Sequence, residues 1–300
     1  MQIKSTVKGY VYIIASAVIF GCMPLISKYI YADGVNSMTL VLFRSVLSIP
    51  FLIAIAFIRR EPIKLPAKDV FTVMAIGVIG CAVTPFLLLS SYNYVSGGTA
   101  TVMHFIYPAV VLLIELVFLR SKVRAGSIVG ILLCIIGIAL FYDPAESLSL
   151  TGGVLALSSG VTNAIYIVLL SKLGSRGMGE YTFALFASLG ATAVLLVTCL
   201  AGNYLSLPTT LGGWLLCFLF AILVNVGAVV LFQVGTFIIG GQKASILSTF
   251  EPITSLVVGY FTFGESVGIL AIIGSVLVIC ASMLIALLDR KEKKAASLES

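Results

Sequence analysis

Long apolar runs separated by short polar segments make up most of this sequence. Ten runs stand out, and each has roughly the 17 to 25 residues that a helix needs to cross the hydrocarbon core of a bilayer. They cover about 10–30, 38–58, 70–90, 98–119, 125–141, 153–173, 181–200, 213–233, 241–263 and 267–288. The pattern predicts an all-α integral membrane protein with ten transmembrane helices.

Composition and charge agree with a membrane protein and indicate its orientation. Hydrophobic residues make up 60% of the chain and charged residues 10%, and the mean hydropathy is +1.17. With the N-terminus inside, nearly all Lys and Arg residues fall in segments predicted to face the cytoplasm, whereas Lys28 falls in an outer segment. This asymmetry follows the positive-inside rule. We therefore expect a protein of the cytoplasmic membrane with both termini in the cytoplasm, and the net charge of +6 indicates a lipid bilayer rather than nucleic acid as partner.

The residues that intramembrane chemistry needs are missing from the sequence. It contains one histidine and neither an H-E-x-x-H nor a G-x-S-x-G motif, so neither a metal site nor a nucleophile–base pair has candidates. The six cysteines fall inside apolar runs without paired spacing, and we interpret them as small buried hydrophobes. We expect no enzyme activity, no cofactor and no bound metal.

A shift of 144 positions superimposes the sequence on itself. Pro108 falls on Pro252, and several glycines keep the same offset. Each copy contains five predicted spans, an odd number, so the second copy enters the bilayer upside down. We therefore predict two inverted five-helix units, 1–144 and 145–288, followed by a cytoplasmic tail, 289–300. Inverted repeats are typical of secondary transporters, which bind their substrate between the repeats near the membrane midplane.

Four short stretches carry a family resemblance. The two copies contain the corresponding segments "YVSGGTATVMHFIYP" (Tyr94–Pro108) and "GGQKASILSTFEP" (Gly240–Pro252), accompanied by "FR" (Phe43–Arg44) and "FGES" (Phe263–Ser266). Together they resemble the drug/metabolite transporter superfamily and, within it, the EamA-type transporters. The resemblance implies a carrier of ten helices in two repeats around a central cavity. It also implies transport of metabolites, since many members export amino acids or related compounds.

Each copy has a proline near the middle of a predicted span. Pro108 lies in the fourth run and Pro252 in the ninth. A proline removes the hydrogen bond to the carbonyl four residues earlier, so we expect the carbonyls of His104 and Ser248 to be free. Broken helices are tolerated in a bilayer where a water-filled cavity or a neighbouring helix meets the backbone. The pair predicts either two cavity-lining helices or two kinks satisfied by packing.

Glu251 lies deep in an apolar run, and the first copy has Tyr107 at the equivalent position. An ionisable residue in a membrane span is expected to face the bundle interior and to mark a pathway. Glu251 then either exchanges a coupled proton or pairs with an ammonium group of the substrate. Otherwise it is a structural carboxyl bonded to a neighbouring helix. His104, on the polar face of the fourth run, is either a substrate contact or a satisfied buried donor.

Further polar and aromatic residues complete the predicted site. Arg44 either reaches the outer surface or meets a substrate carboxylate. Glu115 either takes part in coupling or pairs with Arg120 at the inner end of its helix. Aromatic side chains can form a wall for a hydrophobic or cationic substrate. The predicted substrate-binding residues are Glu251, His104, Tyr107, Ser248, Asn163, Tyr166, Phe20 and Arg44, and the predicted coupling residues are Glu251 and Glu115.

The sequence predicts a secondary active transporter that moves a small organic solute across the cytoplasmic membrane by alternating access. The resemblance favours an exporter of amino acids or metabolites, with proton coupling as a hypothesis. An importer of an amine or quaternary ammonium solute is the alternative, because the sequence does not fix the direction of transport. A passive channel and an intramembrane enzyme remain as further alternatives. We interpret the fifth and tenth runs as packing or dimer-contact helices, so we expect a monomer or a homodimer.

Overall fold

The computed structural model describes residues 2–95, 97–118, 125–140, 149–173 and 178–263, together with parts of 269–281. Within these residues all regular secondary structure is helical. Eight helices or runs of consecutive helices in this part are long and apolar enough to cross a membrane. The prediction of an all-helical protein with many membrane spans is therefore confirmed.

Several spans consist of two or three helical pieces in succession. The first half contains α1 (Gln2–Gly21), α2 (Met23–Ala32), α3 (Ser37–Ile58), α4 (Ala67–Gly77), a π-helical segment π1 (Val78–Val83), α5 (Thr84–Ser91), α6 (Gly97–His104), α7 (Tyr107–Val117) and α8 (Ala125–Ala139). The second half contains α9 (Leu150–Leu173), α10 (Glu180–Ala201), α11 (Leu211–Phe220), a π-helical segment π2 (Ala221–Val229), α12 (Val230–Ile239), α13 (Gly241–Leu247) and α14 (Phe250–Phe263).

The first nine predicted runs each contain a helix, whereas the tenth is not described as one. The fifth run corresponds to α8, whose described apolar stretch, Ile128–Gly137, is shorter than the eight spans. The tenth run, 267–288, lies largely outside the described residues, and the tail, 289–300, lies wholly outside them. The number of ten helices and their inverted arrangement therefore stay predictions.

Local signals in the sequence explain where several helices begin. The Asn36 side-chain oxygen accepts the Thr39 backbone N–H at 2.8 Å and caps α3. Thr210 Oγ1 accepts the Gly213 N–H at 3.0 Å and caps α11. Such caps satisfy N–H groups that have no partner within the helix. Helices α2, α5 and α7 have a proline in their first turn instead, where its missing N–H removes no intrahelical bond.

Both ends of α3 are joined to α10 by hydrogen bonds, which we call the two α3–α10 clasps. At one end, Thr39 Oγ1 donates to the Tyr204 carbonyl at 3.2 Å. At the other end, Thr182 Oγ1 donates to the Pro62 carbonyl at 3.3 Å. The two threonines are 143 positions apart, and the two carbonyl residues are 142 apart. The clasps are therefore equivalent under the offset that relates the two halves of the sequence.

The C-terminal ends of α3 and α10 also share one backbone form. Arg60 (φ 57°) and Asn203 (φ 51°) adopt the left-handed conformation, and these two residues are 143 positions apart. The residue after each of them donates its N–H to a carbonyl five residues earlier, at 3.0 Å after Arg60 and 2.9 Å after Asn203. This is the Schellman ending of a helix. The two helices thus end in the same way at opposite ends of the bundle.

The two π-helical segments repeat at the same offset. They begin at Val78 and Ala221, again 143 positions apart. π1 of the first half packs against α10 of the second half, and π2 of the second half packs against α3 of the first half. The two contacts are therefore equivalent under the offset. A π segment widens a helix locally and is rare, and it occurs often at functional sites. The surroundings of π1 and π2 are therefore candidates for the functional site.

Small residues allow close packing around α10. A Cβ atom on Gly77 of α4 would collide with the backbone of Ala187, and one on Gly190 of α10 would lie 2.5 Å from the Met74 carbonyl oxygen. Close backbone approach through glycine is a common way for helices to associate in a membrane. The α4–α10 contact therefore depends on both glycines.

Candidate functional site

A cavity lies between the helices, with about 630 Å³ of empty space including its opening to solvent. Its wall is formed by residues from both halves of the chain. They are Phe20, Met23, Arg44, Gly80, Thr84, Pro85, Leu88, His104, Tyr107, Asn163, Tyr166, Val229, Phe232, Ser248 and Glu251. All eight residues predicted to bind substrate are among them, so the structure brings them together around one space.

Every break and π segment described above contributes to the cavity wall. The α1–α2, α6–α7 and α13–α14 breaks and the segments π1 and π2 each place a residue there. Irregular backbone within a membrane is tolerated where it is buried in protein or lines a cavity. In secondary transporters, such discontinuous helices form the substrate site. The interruptions therefore coincide with the place where a solute can meet polar groups.

The fourth span breaks between His104 and Tyr107. Pro108, in the first turn of α7, cannot donate to the His104 carbonyl, as the sequence predicts. Helix α9 lies directly against this carbonyl, because an added Cβ atom on Gly160 would be 2.5 Å from its oxygen. Gly160 therefore allows α9 to cover the break, which a larger residue would prevent.

The ninth span breaks in a different way. The Ser248 carbonyl, which the sequence predicts to be free, accepts the backbone N–H of Glu251 at 2.9 Å. A bond across three residues thus replaces the one that Pro252 removes, and the expectation of a free carbonyl at Ser248 is wrong. Helix α1 packs closely here, since an added Cβ atom on Gly21 would lie 2.7 Å from the Glu251 carbonyl oxygen.

Hydrogen bonds orient the imidazole of His104. Ser159 Oγ donates its proton to the Ala156 carbonyl at 2.6 Å, so the same oxygen can only accept from His104 Nδ1, 2.7 Å away. A neutral ring in this arrangement has its proton on Nδ1 and an acceptor at Nε2. Nε2 lies 3.4 Å from the Asn163 amide nitrogen. Ser159 therefore determines which nitrogen of the ring faces Asn163 at the cavity.

Aromatic rings form part of the cavity wall. The ring centroids of His104 and Tyr107 are 5.2 Å apart. Tyr166 accepts a hydrogen bond from Gln233 Nε2 at 3.0 Å, and its ring lies on Gly80, where an added Cβ atom would collide with it. Rings held in this way by bonds and close packing present fixed faces to a solute. Such faces suit either an apolar or a cationic group.

Two ionisable side chains of opposite sign line the cavity. Arg44 is 3% exposed and Glu251 is 8% exposed. Of the two positions that the sequence leaves open for Arg44, the structure shows the cavity wall rather than the membrane surface. Arg44 Nε has no hydrogen-bond partner, and within the described part of the chain no carboxylate pairs with the guanidinium. Charged groups buried in this way are costly in a membrane and mark functional sites.

The remaining predicted residues lie outside the wall. Pro108 and Pro252 are buried behind it and shape the breaks. Glu115 is half-buried on α7 and does not line the cavity, while Arg120, its predicted partner, lies outside the described residues. Asn225 donates to hydroxyls of α3 and α10 at 3.0 and 3.3 Å. Asn225 therefore links π2 to both helices.

Sequence reasoning missed the contribution of the third span. Thr84 and Pro85 follow π1 directly and line the cavity together with Gly80 and Leu88. A threonine–proline pair near the middle of an apolar run is the signal that indicates this wall, because the proline marks an irregular helix there. Phe232 was missed for a different reason. An apolar side chain in a mostly apolar run gives no sign of which face borders the cavity.

Membrane-spanning helices whose interrupted segments enclose a cavity with buried ionisable side chains are typical of membrane transport proteins. The chain belongs to the EamA-like transporter family, whose sequence pattern matches residues 7–142 and again 150–287. The resemblance drawn from the sequence motifs is thereby confirmed. The protein is a multi-pass membrane transporter, and the family indicates no enzyme activity.

Similar proteins from distant organisms support this assignment. The chain is 25% identical over 303 residues to an uncharacterized inner membrane transporter, YicL, of Salmonella typhimurium, covering 97% of this chain and 99% of that protein. It is 27% identical over 282 residues to an uncharacterized transporter of Archaeoglobus fulgidus, covering 93% and 96%. A solved crystal structure superimposes with a TM-score of 0.75 at 17% identity over 96% of this chain and 98% of that one, which shows a shared fold.

Proposed function

We propose that this protein is a secondary active transporter that exports an amino acid or a related small metabolite by alternating access. The observation that carries the proposal is the cavity, whose wall combines three helix breaks, two π segments and the buried Glu251. A cavity bordered by discontinuous helices is the substrate site of many secondary transporters. The choice of amino acids and metabolites, and of export, rests on the resemblance to the EamA-type transporters.

Alternating access is proposed to result from two inverted units, 1–144 and 145–288. The equivalent clasps, helix endings and π segments all support this arrangement, because each recurs at an offset of 142 or 143 positions. Two units of similar structure can exchange conformations and so open the cavity to either side of the membrane.

Both termini are proposed to lie in the cytoplasm, with the protein in the cytoplasmic membrane. The charge pattern assigns Asn36 and Ser206 to the outer side, and the Asn36 N–H donates to Ser206 Oγ at 2.8 Å. It assigns Glu61 and Tyr181 to the inner side, and the Tyr181 N–H donates to the Glu61 carboxylate at 3.0 Å. The contacts thus join segments that the positive-inside rule places on the same side.

Glu251 is the proposed coupling group. Its carboxyl borders the cavity in the ninth span, where protonation and solute binding compete for the same group. Glu115 was predicted as a second coupling residue, but it does not border the cavity. We therefore assign coupling to Glu251 and use Glu115 as a matched carboxylate control.

Import of an amine or quaternary ammonium solute is the second candidate function. It is favoured by the presence of Glu251 and the aromatic residues Phe20, Tyr107 and Tyr166 in one wall. A carboxylate and π faces together bind a cationic group well. In this case Glu251 acts as a counter-charge rather than as a proton carrier.

Counterflow in proteoliposomes tests the proposal. Reconstituted protein is loaded with one unlabelled amino acid or metabolite at a time, and uptake of the labelled compound is followed with and without an imposed pH gradient. We expect saturable counterflow for at least one amino acid, and we expect Glu251→Gln to remove its response to the pH gradient while Glu115→Gln keeps it. Non-saturable uptake without counterflow would identify a channel. An unchanged pH response in Glu251→Gln would show that the coupling assignment is wrong.

The direction of transport is tested separately. Uptake into inside-out membrane vesicles is compared with uptake into right-side-out vesicles. In both, the pH gradient is acidic at the outer face of the protein, so the comparison shows in which direction the gradient drives the solute. Export predicts proton-driven uptake into inside-out vesicles. Accumulation of an amine in right-side-out vesicles would support the second candidate instead.

A further inference from the structure

Arg44 is a buried cation without a carboxylate partner in the part of the chain that the structure describes. It lies in α3, eight positions into the helix from Ser37, and is 3% exposed. Its Nε atom is buried and has no hydrogen-bond partner. A guanidinium without a counter-ion is costly in a membrane interior, so it is retained where an anion or a function compensates the cost.

Glu251 does not supply that anion in this structure. Both side chains border the same cavity, yet no ion pair within 4.0 Å joins them or joins Arg44 to any other carboxylate of the described residues. The guanidinium and the carboxylate are therefore separate groups on one wall. Space between charges of opposite sign suits a solute that carries both an anionic and a cationic end.

The scaffold does not require a charge at this position. The residue 143 positions after Arg44 is Ala187 of α10, in the helix whose ends, clasps and π-segment contact repeat those of α3. Ala187 is fully buried and packs against Gly77 of α4. The methyl group of Ala187 is thus sufficient for packing at the equivalent position of α10. We infer that packing of α3 does not require the guanidinium of Arg44, which borders the cavity.

We propose that Arg44 binds an oxyanion of the transported solute, with a carboxylate as the expected group. This inference rests on the proposed transport function and names the chemical class of its substrate. The planar guanidinium matches a carboxylate or phosphate with two parallel hydrogen bonds, which also fixes the orientation of the bound group. A solute with a carboxylate and an amine then binds between Arg44 and Glu251, whereas an amine without an oxyanion leaves Arg44 unpaired.

Matched sets of compounds test this class without changing the protein. Thermal stabilisation of the full-length protein in detergent is measured with phenylalanine, leucine and lysine. It is also measured with the decarboxylated amine and with the carboxamide of each amino acid. Phosphoserine and glycerol phosphate form a separate arm. We expect stabilisation by compounds with an oxyanion and an apparent affinity at least about 30-fold weaker for their neutral or decarboxylated partners. Preference for the phosphates would identify phosphate as the source of the oxyanion.

Variants of Arg44 test the residue itself. Arg44→Gln is expected to lose discrimination between each amino acid and its amine, and Arg44→Lys, which keeps the charge without the planar fork, is expected to keep part of it. Arg59→Gln is the matched control, because Arg59 follows α3 and is exposed. If Arg44→Gln does not fold, the wild-type comparison still decides. Equal or better stabilisation by the amines than by the amino acids would overturn the proposal.

The outcomes separate this inference from the transport function. Saturable counterflow of amines that have no oxyanion would refute the role of Arg44 and leave the transporter in place. Oxyanion-dependent stabilisation without counterflow of the same compounds would refute the transport function and leave the binding role in place.

Discussion

Removal of the Glu61 side chain should destabilise the protein through the first turn of α10. Glu61 Oε2 accepts the backbone N–H of Tyr181 at 3.0 Å and that of Thr182 at 2.9 Å. These N–H groups open α10 and have no partner within the helix. The carboxylate also lies at the positive end of the helix dipole. Because Glu61 follows α3, one side chain caps α10 and ties it to the end of α3.

The expected magnitude follows from the two contributions. Loss of an N-cap acceptor costs about 0.5 to 2 kcal/mol, and loss of a negative charge at a helix N-terminus costs about 0.3 to 1 kcal/mol. Glu61 is half-buried, so water replaces part of what is lost, and we expect Glu61→Ala to lower the free energy of unfolding by about 1 to 2 kcal/mol. On the scale of soluble proteins of similar size, this corresponds to a decrease in Tm of about 2 to 6 °C.

Thermal unfolding of the purified protein in detergent measures this effect. Glu61→Gln keeps an acceptor oxygen without the charge and should fall between the wild type and Glu61→Ala. Lys64→Ala is the control, because Lys64 is an exposed residue of the same connection. The reasoning fails if Glu61→Ala and Lys64→Ala unfold at the same temperature. It also fails if added salt removes the whole effect, since an N-cap bond does not depend on long-range charge alone.

Three further predictions concern single residues. Arg60→Gly should raise the stability by about 0.5 to 1 kcal/mol in the same unfolding assay, because glycine adopts the φ of 57° without strain. Gly160→Ala should lower stability by about 1 to 3 kcal/mol through collision with the His104 carbonyl, and Gly153→Ala, whose added Cβ atom would meet its nearest neighbour at 3.6 Å, should not. Ser159→Ala should leave His104 Nδ1 without its acceptor and lower the free energy of unfolding by about 1 to 3 kcal/mol. It should also change the KM of transport, whereas the control Thr198→Ala, at an exposed site, should not.

The spans and the breaks could be predicted from the sequence because both depend on local properties. A bilayer requires about 20 apolar residues for each helix. A proline removes one hydrogen bond of its helix, and Pro108 and Pro252 lie at breaks, although α3 continues through Pro50. The same logic predicts that Glu251 lies inside the protein, since charges avoid lipid, whereas it leaves Arg44 open between the outer surface and the cavity. These rules require no knowledge of how the helices pack.

The features that escaped prediction depend on contacts between distant segments. Ser248 was expected to have a free carbonyl because the proline rule considers one missing bond, whereas the backbone rearranged and the Glu251 N–H took its place. The residues of the π segments themselves do not indicate a π-helix. The packing of Gly160 on the His104 carbonyl joins residues that are far apart in the chain, so no local pattern indicates it.

The features that repeat between the two halves differ in kind from those that do not. Features of the helical frame recur at the offset, namely the threonine–carbonyl clasps, the helix endings and the start of each π segment. The side chains of the cavity do not, since Arg44 corresponds to Ala187 and Glu251 to Tyr107. A transporter that alternates between two states needs equivalent frames, because each unit must adopt the conformation of the other. The proposed solute with two different ends needs unequal contacts, and the unequal side chains of the cavity wall support that proposal.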